Sequence, residues 1–144
     1  MHSIARRWPT LIALALAALT FLDGQPAPEF LAGVLAAMPL FYLLFGGFRG
    51  ELRRPGVLAA QLAGLVGFAA VALSAVVLNG TLALLVLAAG WLGHAVWDAA
   101  HYAKDRVAPR QWSEWCGVFD VCGALALLLA AAGGHRLAEA LHNR

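Results

Sequence analysis

The fold is decided by residues 81–102, which read TLALLVLAAGWLGHAVWDAAHY. As a helix this stretch would be about 33 Å long, enough to cross the roughly 30 Å hydrocarbon core of a bilayer. Its first half is almost entirely apolar, whereas its second half carries two histidines and an aspartate. The stretch therefore predicts a membrane-spanning helix that holds ionisable groups within the bilayer.

The composition of the whole chain points the same way. Of its 144 residues, 62% are hydrophobic and 12% are charged, whereas soluble domains are about 45–50% apolar and about 25% charged. A soluble protein of this size buries only about two thirds of its unfolded surface, so it could not hide this much apolar surface from water. The net charge of +2 is small and the basic residues are scattered, which argues against a nucleic-acid partner. Membrane lipid is the expected surrounding.

Four further apolar segments flank residues 81–102, and glycines and prolines separate them. We therefore expect an all-α, polytopic membrane helix bundle with about five transmembrane helices. The chain should form a single integral-membrane domain over residues 1–144. The expected spans are residues 8–22, 30–46, 56–78, 81–102 and 112–133.

The first apolar segment has two interpretations. Arg6 and Arg7 precede a short apolar core, as they would in a cleaved signal peptide. No A-x-A-like cleavage site follows that core, which instead runs through Leu22 into Asp23. The retained helix is therefore the favoured interpretation, and the cleaved signal is the alternative.

The distribution of lysine and arginine predicts the orientation. Alternate loops carry the basic residues, and short loops rich in these residues stay in the cytoplasm. We expect a multi-pass protein of a bacterial inner membrane, with the N-terminus in the cytoplasm and the C-terminus outside. The cytoplasmic side would hold Arg6, Arg7, Arg49, Arg53, Arg54, Lys104, Arg106 and Arg110, and the other side only Arg136 and Arg144.

The fourth span carries a polar stripe. His94, Asp98 and His101 are spaced i, i+4 and i+7, so they fall within about 60° around a helix, and Asp105 would extend the stripe. Ionisable groups at membrane depth seldom face lipid, because exposing a charge there is costly. We expect this stripe to point into the bundle or into a hydrated cavity.

The fifth span adds acidic groups from the same side of the membrane. Asp120 lies at nearly the depth of His94, and Glu114 lies closer to the start of that span. A short loop joins the two spans, so they should be antiparallel neighbours. Gln61 and Tyr42 lie at similar depth on the third and second spans, so the polar groups should converge on one layer.

This set of groups is compatible with four roles. Imidazole and carboxylate are ligands of divalent metals such as zinc or iron; the candidate ligands are His94, Asp98, His101 and Asp120. The same residues with Glu114 could perform metal-free acid–base catalysis or ligand binding. They could also form a proton or cation relay, or a hydrogen-bonded network that only locks two helices.

Two functions remain open at this stage. The leading hypothesis is a membrane-embedded enzyme that acts on a lipid-soluble substrate through a His/Asp site between the fourth and fifth helices, with these residues either binding a metal or transferring protons. The alternative is a non-catalytic small membrane subunit for transport, metal handling or assembly. The sequence has no dinucleotide fingerprint, nucleophile elbow or His-Glu-x-x-His motif. It also has no phosphate-binding glycine loop, so ATP-driven transport by this chain alone is disfavoured.

Overall fold

The computed structural model describes residues 7–142, with side chains described for residues 7–133. Within this range the chain is all-helical, as expected, and contains no strand. A short 3-10 helix at Glu51–Arg53 joins the second helix to the third. The five α-helices are α1 (Trp8–Phe21), α2 (Pro28–Phe48), α3 (Val57–Val77), α4 (Gly80–Lys104) and α5 (Arg110–His142).

Helix boundaries follow the proline and glycine pattern. Pro9 and Pro28 each lie in the first turn of a helix, where the missing N–H group would have no helical partner anyway. Gly50 and Gly56 have φ angles of 71° and 78°, which glycine adopts without steric cost. They allow the chain to turn tightly from α2 into α3.

The structure refines the predicted number of spans. α2, α3, α4 and the Arg110–Gly133 part of α5 are long and apolar enough to cross a membrane. α1 has 14 residues, so it is only about 21 Å long and is shorter than the hydrocarbon core. The first expected span is therefore present as an apolar helix but does not have the length of a full crossing.

The helices run up and down, and their basic ends lie together. At the start of α1, Arg7 lies 3.6 Å from Glu114 in the first turns of α5. After the end of α2, Arg49 lies 4.0 Å from Asp105, which caps the end of α4. We call this side of the bundle the basic end. It holds the seven lysines and arginines of residues 7–133, namely Arg7, Arg49, Arg53, Arg54, Lys104, Arg106 and Arg110.

Small residues bring the helices into close contact. The α4–α5 pair forms the most extensive interface, and α1 packs mainly on α5. A Cβ atom added at Gly123 would lie 2.2 Å from Cζ3 of Trp91, and one at Gly90 would lie 2.6 Å from Cδ2 of Leu35. In lipid, where apolar surface gains little from burial, such close approach allows dispersion contacts to hold helices together.

The membrane orientation stays a prediction, and fusion proteins test it. Positively charged loops remain in the cytoplasm, so the basic end should face inward. A reporter active only in the cytoplasm should give signal when fused after Arg54 and none when fused to the C-terminus. Signal at the C-terminal fusion and none after Arg54 would show the opposite orientation and contradict the prediction.

Candidate functional site

A buried polar cluster joins α4 to α5. His94 Nδ1 lies 2.7 Å from Asp120 Oδ2 and 3.3 Å from Asp98 Oδ2. All three side chains have an exposed fraction of 0%. One potential ligand atom from each residue lies within 4.8 Å of the other two. We call these three residues the His/Asp cluster.

The backbone of α5 makes room for this cluster. Gly117, one turn before Asp120, faces α4, and a Cβ atom added there would lie 3.3 Å from the Cβ atom of Asp98. On the other side of His94, the Phe68 ring of α3 packs edge-on at 4.9 Å between centroids. The cluster is therefore enclosed by a close helix contact on one side and by an aromatic ring on the other.

Two hydroxyl groups extend the cluster toward α2. Tyr42 donates a hydrogen bond to Asp98 Oδ1, and its hydroxyl oxygen lies 3.0 Å from Ser113 Oγ. A phenol has one proton, so the Ser113 hydroxyl must donate to the Tyr42 oxygen while Tyr42 donates to Asp98. The result is a directed chain of hydrogen bonds from Ser113 through Tyr42 to Asp98.

Several polar atoms of the cluster have no hydrogen-bond partner. They are His94 Nε2, Asp98 Oδ2 and Asp120 Oδ1, and all are buried. Within residues 7–133, no lysine or arginine forms an ion pair with Asp98 or Asp120. Buried polar atoms are almost always satisfied, and two carboxylates at membrane depth need positive charge. A proton or a cation bound within the cluster would supply that charge.

The donor set fits a divalent metal ion. Zinc binds carboxylate oxygen and imidazole nitrogen at about 2.0–2.2 Å, so two of its tetrahedral ligands lie roughly 3.3–3.6 Å apart. His94 Nδ1 lies 2.7 and 3.3 Å from the two carboxylates, and the three candidate ligand atoms lie within 4.8 Å of one another, so their separations are near this spacing. An ion would replace the proton shared by His94 and Asp120, and its charge would balance both carboxylates.

His101 lies outside this cluster. It follows His94 by seven residues, so it lies about 10 Å farther along the axis of α4. Its Nδ1 is 2.9 Å from the carbonyl oxygen of Trp97, and its Nε2 is 3.0 Å from Nε2 of Gln61. The carbonyl can only accept, so Nδ1 carries the proton and Nε2 accepts from the Gln61 amide. Of the four candidate ligands, the structure brings together His94, Asp98 and Asp120, and engages His101 elsewhere.

Glu114 also lies apart from the cluster. Its Oε1 accepts a hydrogen bond of 2.5 Å from Thr10 and lies 3.6 Å from Arg7 Nη1. These contacts tie α5 to α1 near the basic end. The candidate catalytic residues are thus divided between the cluster, the His101–Gln61 pair and the α1–α5 contact.

Ser113 was not among the candidate residues of the sequence analysis, although the sequence contains a signal for it. It precedes Asp120 by seven residues, which places both within about 20° around α5. Ser113 and Asp120 are also both buried. Extending the polar stripe search from charged groups to hydroxyl groups would have found it.

A groove runs along α1, α4 and α5 beside the cluster. It has a volume of about 790 Å³. Small residues separate the groove from the cluster. Gly117 lines the groove and lies against Asp98 on the opposite side of the α5 backbone. Ala95 and Ala99 of α4 line the groove beside Gly117. Ser113 also lines the groove. The residue at which the hydrogen-bond chain to Asp98 begins is therefore part of the groove lining, although its side chain is buried.

Comparison with known proteins adds no further assignment. No protein family, curated protein sequence or solved structure matches this chain.

Proposed function

We propose that this protein is a membrane-embedded enzyme that uses a divalent metal ion, held by His94, Asp98 and Asp120, to act on a lipid-soluble substrate. The observation that carries the proposal is the hydrogen-bond chain that connects a residue of the groove lining to the cluster. Ser113 lines the groove, and Tyr42 links it to Asp98 by hydrogen bonds. A substrate lying in the groove would meet the end of a proton-transfer chain that leads to the metal ligands.

The chemistry is that of metal-assisted acid–base catalysis. A divalent ion supplies a Lewis acid and lowers the pKa of a bound water molecule. Tyr42 holds Asp98 through Oδ1, which leaves Oδ2 for a ligand. Ser113 and Tyr42 can pass a proton between the groove and Asp98, while the closed packing around His94 keeps bulk water out.

A second candidate function rests on the complete burial of the His/Asp cluster. Because His94, Asp98 and Asp120 have no exposed surface, an ion could be held there without meeting any substrate. The protein would then be a non-catalytic, metal-handling membrane subunit. Metal content combined with turnover separates the two functions.

Substitution of Ser113 by alanine tests the catalytic proposal. We expect purified Ser113→Ala protein to retain its metal and to lose about 100-fold in turnover, because a positioned proton-transfer group contributes about 10²–10⁴-fold. The assay compares the membrane-lipid extract before and after incubation, by mass spectrometry, with elemental analysis of the same protein.

The matched control is Ser74→Ala, whose hydroxyl bonds only to the Ala70 carbonyl of its own helix on an exposed face. It should keep full turnover, and a metal chelator should abolish turnover of the wild type. Wild-type protein that converts lipid without any metal would contradict the metal-dependent proposal. Bound metal without conversion of any lipid would instead support the metal-handling function.

A further inference from the structure

The groove has a polar end that the proposed function does not explain. At the basic end of the bundle it meets a second cavity of about 390 Å³, lined by Arg7, Tyr102, Arg110, Gln111 and Glu114. Arg7, Tyr102 and Glu114 line both cavities, so the two are adjacent. Farther along, the groove is lined by Leu14, Val118 and Val121. The combined space is therefore amphipathic, with one polar end and one apolar end.

The charges of the polar end favour an anion. Two arginines and one glutamate line it, so the lining residues alone carry one net positive charge, while Asp105 contacts Arg110 and Arg49 beside the cavity. Glu114 Oε1 is already engaged by Thr10 and Arg7. Arg7 contacts Glu114 through Nη1, and Arg110 contacts Asp105 through Nε. A guanidinium has five N–H donors, so both side chains retain donors for the oxygen atoms of a phosphate.

The apolar end is long enough for an extended hydrocarbon chain. From Ser113 to Cys122 on α5 the groove is about 13 Å long. Its volume lies within the roughly 300–1,000 Å³ of small-molecule sites. Ala95, Ala99 and Gly117 leave the wall smooth beside α4 and α5. A single extended alkyl or isoprenoid chain fits this shape and would lie parallel to the helices.

We propose that the groove between α1, α4 and α5 binds a single-chain amphiphile with a phosphate headgroup, and that this amphiphile is the substrate class of the enzyme. The assignment of this amphiphile as the substrate rests on the proposed function. Arg7 and Arg110 hold the headgroup, and the chain lies against Leu14, Val118 and Val121. The atoms between head and tail then lie beside Ser113 and the Gly117 wall.

Photo-crosslinking tests the inference with the intact protein in phosphatidylcholine nanodiscs. The probe is dodecyl phosphate that carries a diazirine at the end of its chain. We expect crosslinks to fall on the lining residues of α1 and α5 near Leu14, Val118 and Val121. Unmodified dodecyl phosphate should suppress them, whereas inorganic phosphate or dodecylphosphocholine at the same concentration should not.

Paired variants locate the two ends of the site. Arg7→Gln combined with Arg110→Gln should reduce specific crosslinking about tenfold, because two charge-assisted contacts are lost. Arg53→Gln combined with Arg54→Gln removes the same charge from the basic end outside the cavity. This pair should change specific crosslinking less than twofold. Val121→Trp should block the groove and abolish crosslinking, whereas Val66→Trp on the exposed face of α3 should not.

Either of two results would overturn the inference. One is equal crosslinking in the two double-arginine variants, and the other is equal competition by dodecylphosphocholine or inorganic phosphate. The metal content of every sample is measured in parallel. Crosslinking at the groove in metal-free wild-type protein would refute the proposed metal centre alone, whereas metal-loaded protein without groove crosslinks would refute the amphiphile site alone.

Discussion

Gly123→Ala is expected to destabilise the bundle by about 3 kcal/mol, at the upper end of the cost of overpacking a core. The added Cβ atom would lie 2.2 Å from Trp91 Cζ3 and 2.3 Å from Cε3. Trp91 is fully buried between helices, so its indole ring cannot move aside without displacing Leu87, Leu127 or their neighbours. Thermal unfolding in detergent, followed by circular dichroism, measures the change.

Two comparisons make this result specific. Gly67→Ala places a methyl group in the middle of α3 where no atom lies within 4 Å, and it should be neutral or stabilising by up to about 1 kcal/mol. Trp91→Leu should recover part of the loss in the Gly123→Ala background, because the smaller side chain relieves the clash. Equal stability of the Gly123→Ala and Gly67→Ala proteins would contradict the close α4–α5 packing.

His94→Ala is expected to abolish binding of the proposed metal ion and to lower the stability of the protein. Metal affinity should fall by more than about 100-fold, since loss of a partner that only orients a ligand already costs about 10–100-fold. The variant also leaves Asp120 Oδ2 without its 2.7 Å contact. Breaking such a buried pair costs about 3–5 kcal/mol. Equilibrium dialysis against zinc and thermal unfolding with and without zinc measure both effects.

His101→Ala is the informative control, because it separates the three-residue cluster from the four-ligand set expected from sequence. Its ring is engaged by Gln61 and the Trp97 carbonyl, so this variant should lose stability but retain zinc. If the cluster is instead a purely structural hydrogen-bonded network, zinc should not raise the melting temperature of any of these proteins. If the His101→Ala protein also loses zinc, His101 is a ligand of the ion, as the sequence analysis expected.

The sequence predicted the helices well because their signals are local. Apolar length and the Pro and Gly positions set the bounds, and the predicted span 81–102 agrees closely with α4 at Gly80–Lys104. The bounds of the first span agree equally well, since α1 runs from Trp8 to Phe21 where residues 8–22 were expected, but its 14 residues are too few to cross a bilayer. Its polar end residues and following prolines indicate where it stops, but they do not show how deeply it lies in lipid.

The candidate site was harder to predict because it depends on helix rotation and docking. His94 and Asp98 share a face by their i, i+4 spacing, and the equal depth of Asp120 placed it beside them; the 2.7 Å contact confirms this pairing of α4 with α5. Glu114 is six residues from Asp120, so it points about 120° away around α5. Its contact with Thr10 depends on where α1 packs, which no periodicity within α5 could reveal.

The central claim is that one divalent ion is bound by His94, Asp98 and Asp120, and zinc K-edge X-ray absorption of the zinc-loaded protein tests it most directly. The account predicts one zinc per chain, with a single imidazole and only oxygen otherwise, at about 2.0–2.2 Å. Cys116 is also buried and lies one helical turn before Asp120 on α5. A sulfur ligand at about 2.3 Å, a second imidazole, or no stoichiometric zinc would contradict the account.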